Sequence, residues 1–202
     1  MIYDLSHTIN EELPVYPGDP RVKIDVSGQL SKDGFNDHVL KIGTHNGTHI
    51  DAPVHMLENG RALSDYPVDR FVVQAVCIDM SQEVALDHMR QVIATAGMGV
   101  LFYTGTDDYF RSQRYWEEYP VLDPYVVDLL IEKQVSIVGI DTGSFDIVDG
   151  FPIHKSLLSA DILLIENLKG LKPLIDKKFE LFALPLKLGL DGAPARVIAV
   201  VD

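Results

Sequence analysis

Apolar residues along the chain fall into short runs that polar and turn-forming segments separate. Several of these runs are rich in valine and isoleucine and are apolar on both faces, as buried sheet strands are. The pattern predicts seven strands: Arg21–Val26, Phe71–Met80, Gly99–Thr104, Val135–Asp141, Ile162–Ile165, Phe179–Leu186 and Ala195–Val201.

Helical patterns lie between several of these runs. Ser81 is a suitable N-cap for a helix over Val84–Ala96, and Gly97 would end that helix at the C′ position. Asp123-Pro124 is a typical pair of N-cap and first helical residue, which predicts a helix that runs to Lys133.

A shorter helix is predicted over His154–Ala160. Strands interleaved with helices are typical of an α/β domain, and the late strands, which follow one another without helices, indicate a mixed sheet. No internal repeat, low-complexity tract or linker divides the sequence. We therefore predict one domain over residues 1–202.

Composition narrows the class of protein. The 202 residues are 47% hydrophobic and 23% charged, which is normal for a globular domain. The formal net charge of -13 would repel a phosphate backbone, so we expect no nucleic-acid partner. The simplest consequence of this charge is that it keeps the protein soluble.

The N-terminal segment lacks a signal-peptide pattern, and no apolar run approaches the ~20 residues of a membrane span. These features predict a cytoplasmic protein with no membrane partner. The single cysteine, Cys77, lies in an apolar run, so we interpret it as a small buried residue rather than a nucleophile.

The segment HNGTHIDAPVH, residues 45–55, concentrates three of the seven histidines beside one aspartate. On a straight strand these residues would share a face, but the Cα atoms of His45 and His49 would be about 13 Å apart. Two imidazoles that bind one metal through bonds of about 2.1 Å span that distance only with difficulty. Asn46-Gly47 is a favoured turn pair, so the sequence predicts a bend where the two histidines need to converge.

His49 and Asp51 have the i, i+2 spacing that puts two side chains on one face of a strand. With His45 they offer two nitrogens and a carboxylate, a set that suits Zn²⁺, Mn²⁺ or Fe²⁺ and leaves room for water, as catalytic sites do. His55 is either a fourth ligand or a base beside the metal, and spacing does not separate the two roles. The alternative is a polar surface loop whose histidines form ordinary hydrogen bonds.

Two further candidate ligands lie in FPIHKSLLSADILLIENL, residues 151–168. Glu166 follows the apolar run Ile162–Ile165, and a carboxylate at the end of a buried strand needs a partner such as a cation. His154, taken by itself, is better explained as an exposed helix residue.

A competing motif is Asp141-Thr142-Gly143-Ser144, which follows an apolar strand and resembles the active-site loop of aspartic proteases. Those enzymes need two aspartates that share one proton, so a chain with one copy would have to act as a dimer. The same residues make a good strand-to-turn sequence, and a protease would leave the histidine cluster unused.

The chain resembles the cyclase-family metal hydrolases, whose best-known members are bacterial kynurenine formamidases. VYPGDP at residues 15–20 resembles the aromatic-Pro-Gly-Asp segment of that family, and HNGTHIDAPVH matches its H-x-G-T-H-x-D-x-P-x-H motif. GIDTGSFD, HKSLLSADILLIENL and ALPLKLGLDGAPARVIAV are similar to its later segments, in the same order. The similarity spans nearly the whole chain and removes most of the support for a protease.

The resemblance implies a swivelling β/β/α domain with a mixed, barrel-like sheet and flanking helices, usually a homodimer. It implies that a first metal ion is bound by His45, His49 and Asp51. Where the family uses a second ion, the implied ligands are Asp51, His154 and Glu166, with Asp51 and Glu166 bridging. Zinc is the expected metal, one or two ions per chain, and manganese or iron are alternatives.

The resemblance also implies that His55 is the catalytic acid/base and that the aromatic residue before Pro-Gly-Asp, here Tyr16, contacts the substrate. Kynurenine formamidases have a tryptophan at that position. A tyrosine keeps an aromatic face but differs in size and adds a hydroxyl, so the metal motif alone does not decide the substrate.

Together these residues predict a metal-dependent hydrolase of a small carboxamide, resembling the arylformamidases that convert N-formylkynurenine to kynurenine and formate. Metal-activated water would attack the carbonyl carbon while His55 transfers the proton. One alternative is hydrolysis of a cyclic amide, a lactone or an ester by the same site. Another is a non-catalytic metal-binding regulatory domain.

Overall fold

The computed structural model describes residues 1–82 and 84–201. In this part of the chain the strands are β1 (Ile2–Asp4), β2 (Lys23–Gly28), β3 (Asp37–Lys41), β4 (His49–Asp51), β5 (Val72–Asp79), β6 (Gly99–Tyr103), β7 (Ile137–Ile140), β8 (Leu163–Glu166), β9 (Lys178–Pro185) and β10 (Gly192–Val200). The helices are α1 (Leu30–Asp33), α2 (Leu86–Val92), α3 (Arg114–Glu117), α4 (Pro124–Glu132) and α5 (Pro152–Ser159).

Strands β4 to β10 form a closed, mixed barrel. Their order around the barrel is β10-β4-β8-β7-β6-β5-β9, and β9 returns to pair with β10. The neighbours β5, β6, β7 and β8 are parallel, whereas the other pairs are antiparallel. Strand β1 pairs with the end of β10 that extends beyond β4. The predicted α/β class with a mixed, barrel-like sheet is confirmed.

The parallel strands are buried on both faces, which explains their continuous apolar sequence. Cys77 of β5 and Leu101 of β6 belong to the core inside the barrel. Their neighbours Ile78 and Phe102 belong to a second core, which the buried faces of α2, α4 and α5 cover. Each fully buried side chain of this kind contributes about 1.5–3 kcal/mol, so the two cores hold the barrel and its helices together.

All seven predicted strands occur, with ends that differ from the prediction by at most three residues. Helix α4 begins as predicted, because the side chain of Asp123 accepts a hydrogen bond from the backbone N–H of Tyr125 at 2.8 Å. Helix α5 covers most of the predicted His154–Ala160 helix.

The predicted helix over Val84–Ala96 is wrong in its bounds, and Ser81 is not its cap. The hydroxyl of Ser81 donates instead to the carboxylate of Asp79 at 2.6 Å, and α2 covers only Leu86–Val92. Gly97 does adopt a left-handed φ of 80°, but it lies beyond the end of the helix. Among the described residues, no helix has the length and apolar character that a membrane crossing needs.

Strands β2 and β3, with α1 between them, form a separate two-stranded sheet. We refer to residues 23–41 as the hairpin arm. Several of its apolar side chains lie in solvent, among them Val26 at 57%, Phe35 at 58% and Val39 at 56% exposure. A two-stranded hairpin is marginally stable alone, so this surface is one that a partner would stabilise.

Candidate metal and catalytic site

The site is built on β4, a three-residue strand that lies between β8 and β10. His49 and Asp51 are two residues apart on this strand and therefore share a face. The pairing with β8 sets His49 directly opposite Glu166. The register of two short strands thus brings together ligand candidates that are far apart in sequence.

His45 reaches the same place from the loop before β4. Gly47 has a φ of 69°, a left-handed conformation that turns the chain there. The side chain of the buried Asn46 braces this turn by accepting a hydrogen bond from the N–H of Gly43 at 2.8 Å. The predicted bend at Asn46-Gly47 is confirmed.

Asp51 joins two groups of potential ligand atoms. Its Oδ1 lies 2.8 Å from His45 Nδ1 and 3.2 Å from His49 Nε2. Its Oδ2 lies 3.8 Å from His154 Nε2, which is itself 2.9 Å from Glu166 Oε1. The structure therefore gathers all five candidate ligands, with the shared carboxylate between the two groups.

Two atoms at the centre of this cluster test whether a metal would fit. His49 Nε2 and Asp51 Oδ2 are buried and have no hydrogen-bond partner among the described residues. Each unpaired buried polar atom costs about 1–3 kcal/mol, and a cation between them would satisfy both. The ligand atoms of His45, His49 and Asp51 lie within 4.8 Å of one another. This set of nitrogen and oxygen donors fits a divalent metal such as Zn²⁺.

The other ring nitrogen of each candidate ligand histidine is held by an acceptor. His45 Nε2 lies 2.8 Å from Asp191 Oδ2, and His154 Nδ1 lies 2.7 Å from Asp146 Oδ2. His49 Nδ1 bonds to the carbonyl of Gly47 at 2.7 Å. Such partners fix the ring orientation and the tautomer of metal-binding histidines, so three imidazoles are prepared to offer their remaining nitrogen.

Neither aspartate is among the site residues predicted from the sequence. Asp146 lies in GIDTGSFD and Asp191 in GLDGAPAR, so the available signal was that both segments resemble those of the family. Asp146 has a second task, because its carboxylate also accepts the backbone N–H groups of Ile153 and His154 at 3.0 Å each. One side chain thus stabilises the first turn of α5 and orients the histidine on that turn.

The electrostatics of the cluster favour a bound positive charge. The pKa of His154 is lowered by burial, but Glu166, Asp146 and Asp51 more than offset this and raise it to about 10. The pKa of Asp51 is raised by burial, yet the adjacent His49 and His45 hold it well below its ordinary value. The carboxylate of Asp51 therefore stays ionised and attracts a cation, either a proton or a metal ion.

His55 ends a short 3₁₀ turn, Pro53–His55, that follows β4. Its Nδ1 lies 3.6 Å from Asp191 Oδ2, and its ring centroid is 4.0 Å from that of His45. Burial lowers the pKa of His55, and the neighbouring His45 and His154 lower it further against the influence of Asp51. A neutral imidazole beside the ligand cluster is suited to accept a proton.

The cluster opens onto a cavity of about 290 Å³. His55, His154 and Glu166 lie at its floor with the cluster, and Tyr16 and Trp116 lie in its wall. The two aromatic rings meet edge to face, with centroids 5.9 Å apart. The structure thus places Tyr16, the predicted substrate contact, on the same cavity as the candidate acid/base.

The Cyclase family model matches residues 3–147 of this chain, which is well over half its length. The chain belongs to the cyclase family. The resemblance predicted from the motifs is therefore confirmed.

Known proteins resemble this cyclase-family protein in sequence, and solved structures resemble it in fold. A kynurenine formamidase of Salinibacter ruber is 32% identical, over 98% of this chain and 96% of its own length. A solved structure described as a potential metal-dependent hydrolase with cyclase activity is 30% identical, with a TM-score of 0.83 and coverage of 100% and 98%. Isatin hydrolase A from Labrenzia aggregata is 25% identical, with a TM-score of 0.88 and coverage of 100% and 93%.

These comparisons confirm the prediction that the protein is a hydrolase of the cyclase family. The geometry supports the role predicted for each site residue, and these roles stay predictions. The residues are His45, His49, Asp51, His154, Glu166, His55 and Tyr16.

The aspartate of the Asp-Thr-Gly motif has a structural task in this family member. Asp141 is completely buried and accepts hydrogen bonds from the N–H and hydroxyl of Thr104 at 2.9 and 2.6 Å, and from the N–H of Gly105 at 2.9 Å. Its carboxylate ties the ends of β6 and β7 together and does not line the cavity. The interpretation as an aspartic protease is therefore wrong.

Proposed function

We propose that this cyclase-family protein is a metal-dependent amidase that hydrolyses a small aryl formamide, as a kynurenine formamidase does with N-formylkynurenine. The observation that carries the proposal is the ligand cluster around Asp51, with unpaired buried atoms, a neutral His55 and an aromatic cavity on one site. The similarity to the kynurenine formamidase of Salinibacter ruber supports the choice of a formamide.

His45, His49 and Asp51 would hold one divalent metal, and Asp51, His154 and Glu166 a second where two are bound; zinc is the metal that this donor set fits best. When bound, such a metal makes water more acidic and stabilises negative charge on a carbonyl oxygen.

The chain's own residues complete the reaction. His55 Nε2 or Nδ1 accepts the proton of the attacking water, because its imidazole is neutral and faces the cavity. The same imidazolium then donates that proton to the nitrogen of the leaving aniline. Tyr16 and Trp116 pack against the aromatic ring and exclude water from one side of it.

Replacement of His55 tests this role. We expect His55→Ala to retain bound metal and to lose about 10²–10⁴-fold in kcat on formanilide, since it removes general acid–base catalysis. His88→Ala, which removes an exposed histidine on α2, serves as the control and should be unaffected. Near-native turnover of His55→Ala would show that His55 is not the proton-transfer residue.

A second substrate class is favoured by the likeness to isatin hydrolase A, which is described as bound to benzyl benzoate. The same site would then open a cyclic amide or cleave an aromatic ester. Rates on matched formanilide, isatin and phenyl formate distinguish these functions. Bound metal without turnover on any of them would instead indicate a non-catalytic metal-binding domain.

We also propose that the protein is a homodimer in the cytoplasm, and that the hairpin arm forms part of the dimer contact. The exposed apolar residues Val26 and Val39 of the arm support this, because a second copy would cover them. Light scattering of the wild type and of Val39→Asp tests the contact: a dimer that the substitution weakens is expected. A monomeric wild type would contradict it.

A further inference from the structure

Trp116 forms a wall of the cavity that the established motifs do not describe. It is the only tryptophan of the chain and lies on the short helix α3. Its ring packs edge to face against Tyr16 on one side and against the buried Tyr115, at a centroid distance of 4.8 Å, on the other. These two contacts hold the indole ring in the wall of the cavity.

The turn that contains Gly143 leaves space for the indole of Trp116. A Cβ on Gly143 would lie 2.4 Å from Cζ3 of Trp116, a distance that real structures essentially never show. A residue with a side chain at Gly143 would therefore displace the indole. The absence of a side chain there allows the aromatic face to lie directly over the turn after β7.

Outside the ligand cluster, Asp19 is the one charged side chain that lines this cavity among the residues that the structure describes. No lysine or arginine of this part of the chain lines it, and the lining histidines His45 and His154 are paired with carboxylates of the cluster. Asp19 is half-buried and forms no ion pair with any of the described residues. The pKa of Tyr16 is raised, first by burial and then by the nearby carboxylates of Glu166, Asp149 and Asp19.

We propose that this cavity selects aryl amides whose ring substituent is cationic or uncharged and discriminates against a carboxylate substituent, with Asp19 as the partner of a substrate ammonium. The inference rests on the proposed function, since it names the substrate class of that site. An ammonium beside the Trp116 indole and the Asp19 carboxylate gains both a cation–π and an ionic contact. A carboxylate at the same place leaves water and finds no lysine or arginine there among the described residues.

N-formylkynurenine itself fits this cavity only in part. Its amino-acid side chain carries an ammonium and a carboxylate, and outside the ligand cluster this cavity offers a partner only to the ammonium. Aryl formamides that carry an amine without the carboxylate are therefore the better substrates of this enzyme.

The experiment uses the single tryptophan as a reporter of binding that does not depend on turnover. Purified protein is titrated at neutral pH with three anilines, the products of the corresponding formanilides, which carry aminomethyl, hydroxymethyl or carboxymethyl groups at the para position. We expect the fluorescence of Trp116 to give an affinity about tenfold higher for the aminomethyl than for the carboxymethyl compound. The three formanilides should follow the same order in KM with similar kcat, because the contact is remote from the reacting carbonyl.

Variants assign the effect to one side chain. Asp19→Asn should reduce the preference about fivefold, and Asp19→Lys should reverse the order of the two charged compounds. Asp69→Asn removes an exposed carboxylate that does not line the cavity and should leave the order unchanged.

The two possible failures are distinguishable. Equal or tighter binding of the carboxymethyl compound, or an order that Asp19→Lys leaves unchanged, would overturn the inference even if the formanilides are hydrolysed. If the expected binding order is found but none of the formanilides is hydrolysed, the proposed function fails while the charge selectivity of the cavity stands.

Discussion

Removal of the Asp146 carboxylate should weaken metal binding and loosen α5 together. This side chain is almost fully buried and holds His154 Nδ1 at 2.7 Å and the N–H groups of Ile153 and His154 at 3.0 Å. Asp146→Ala loses all three contacts. We expect a loss of about 3 kcal/mol in the free energy of unfolding, from a helix cap and the hydrogen bonds to a charged acceptor. For a domain of this size that lowers Tm by roughly 10 °C.

Asp146→Asn separates the two tasks of this residue. The amide keeps the shape of the side chain and can keep the two His154 contacts, which share Oδ2, but it loses the negative charge and can no longer accept hydrogen bonds on both terminal atoms. His154 then lacks a carboxylate partner, and zinc affinity should fall about 10–100-fold, as it does when the partner of a metal-binding histidine is altered. The fall in Tm should be smaller than for Asp146→Ala.

Competition with a chromophoric chelator measures the zinc affinity, and thermal unfolding measures stability. Asp149→Asn is the matched control, since Asp149 is an exposed carboxylate three residues away on the same loop. The reasoning is refuted if Asp146→Asn folds normally and binds zinc within twofold of the wild type. Such a result would mean that His154 is not a ligand or that the charge of its partner Asp146 does not strengthen it as one.

Two further predictions follow from buried groups. Burial raises the pKa of Asp141 to about 6, so the folded state retains a proton that the unfolded chain releases near pH 4. The free energy of unfolding therefore falls by up to about 3 kcal/mol as the pH rises from about 4 to about 6. In Asp141→Asn this pH dependence should disappear from denaturant unfolding curves recorded between pH 4 and 7, and an unchanged slope would contradict the prediction. Gly143→Ala should displace the indole of Trp116, shift its fluorescence and raise KM severalfold, whereas Gly189→Ala, whose Cβ would meet only Ser64 Oγ at 3.5 Å, should change neither. Unchanged emission of Gly143→Ala would show that the indole is not held over this turn.

The sequence predicted those parts of the fold that local pattern controls. Runs apolar on both faces, such as Phe71–Met80, became strands buried on both faces, and the Asp123 cap began its helix as expected. Ser81 failed as a cap because a nearby acceptor, Asp79, takes its hydroxyl. That competition depends on the geometry at the end of β5, which a linear pattern does not contain.

The parts that were missed depend on contacts between distant segments. The three residues of β4 are too few to show a period, and only pairing with β8 and β10 makes them a strand. The pairing of β9 with β10 that closes the barrel is likewise a tertiary contact, which a local pattern does not show.

In the candidate site, too, the sequence predicted what local spacing determines and missed what contacts between distant segments determine. Local spacing and the Asn46-Gly47 turn indicated how His45, His49 and Asp51 converge. The roles of Asp146 and Asp191 depend on α5 and β10 packing beside β4, and the Trp116 wall depends on a glycine in another segment. A sequence shows that such residues are present but not which side chains they meet.

The central claim is that the Asp51 cluster binds a metal on which amide hydrolysis depends. The most direct test is elemental analysis of the purified protein, combined with formanilide hydrolysis before and after removal of metal by a chelator. We predict one or two equivalents of a divalent metal per chain, loss of turnover on stripping, and its return when zinc is added. Full activity in protein that contains no metal would contradict the account.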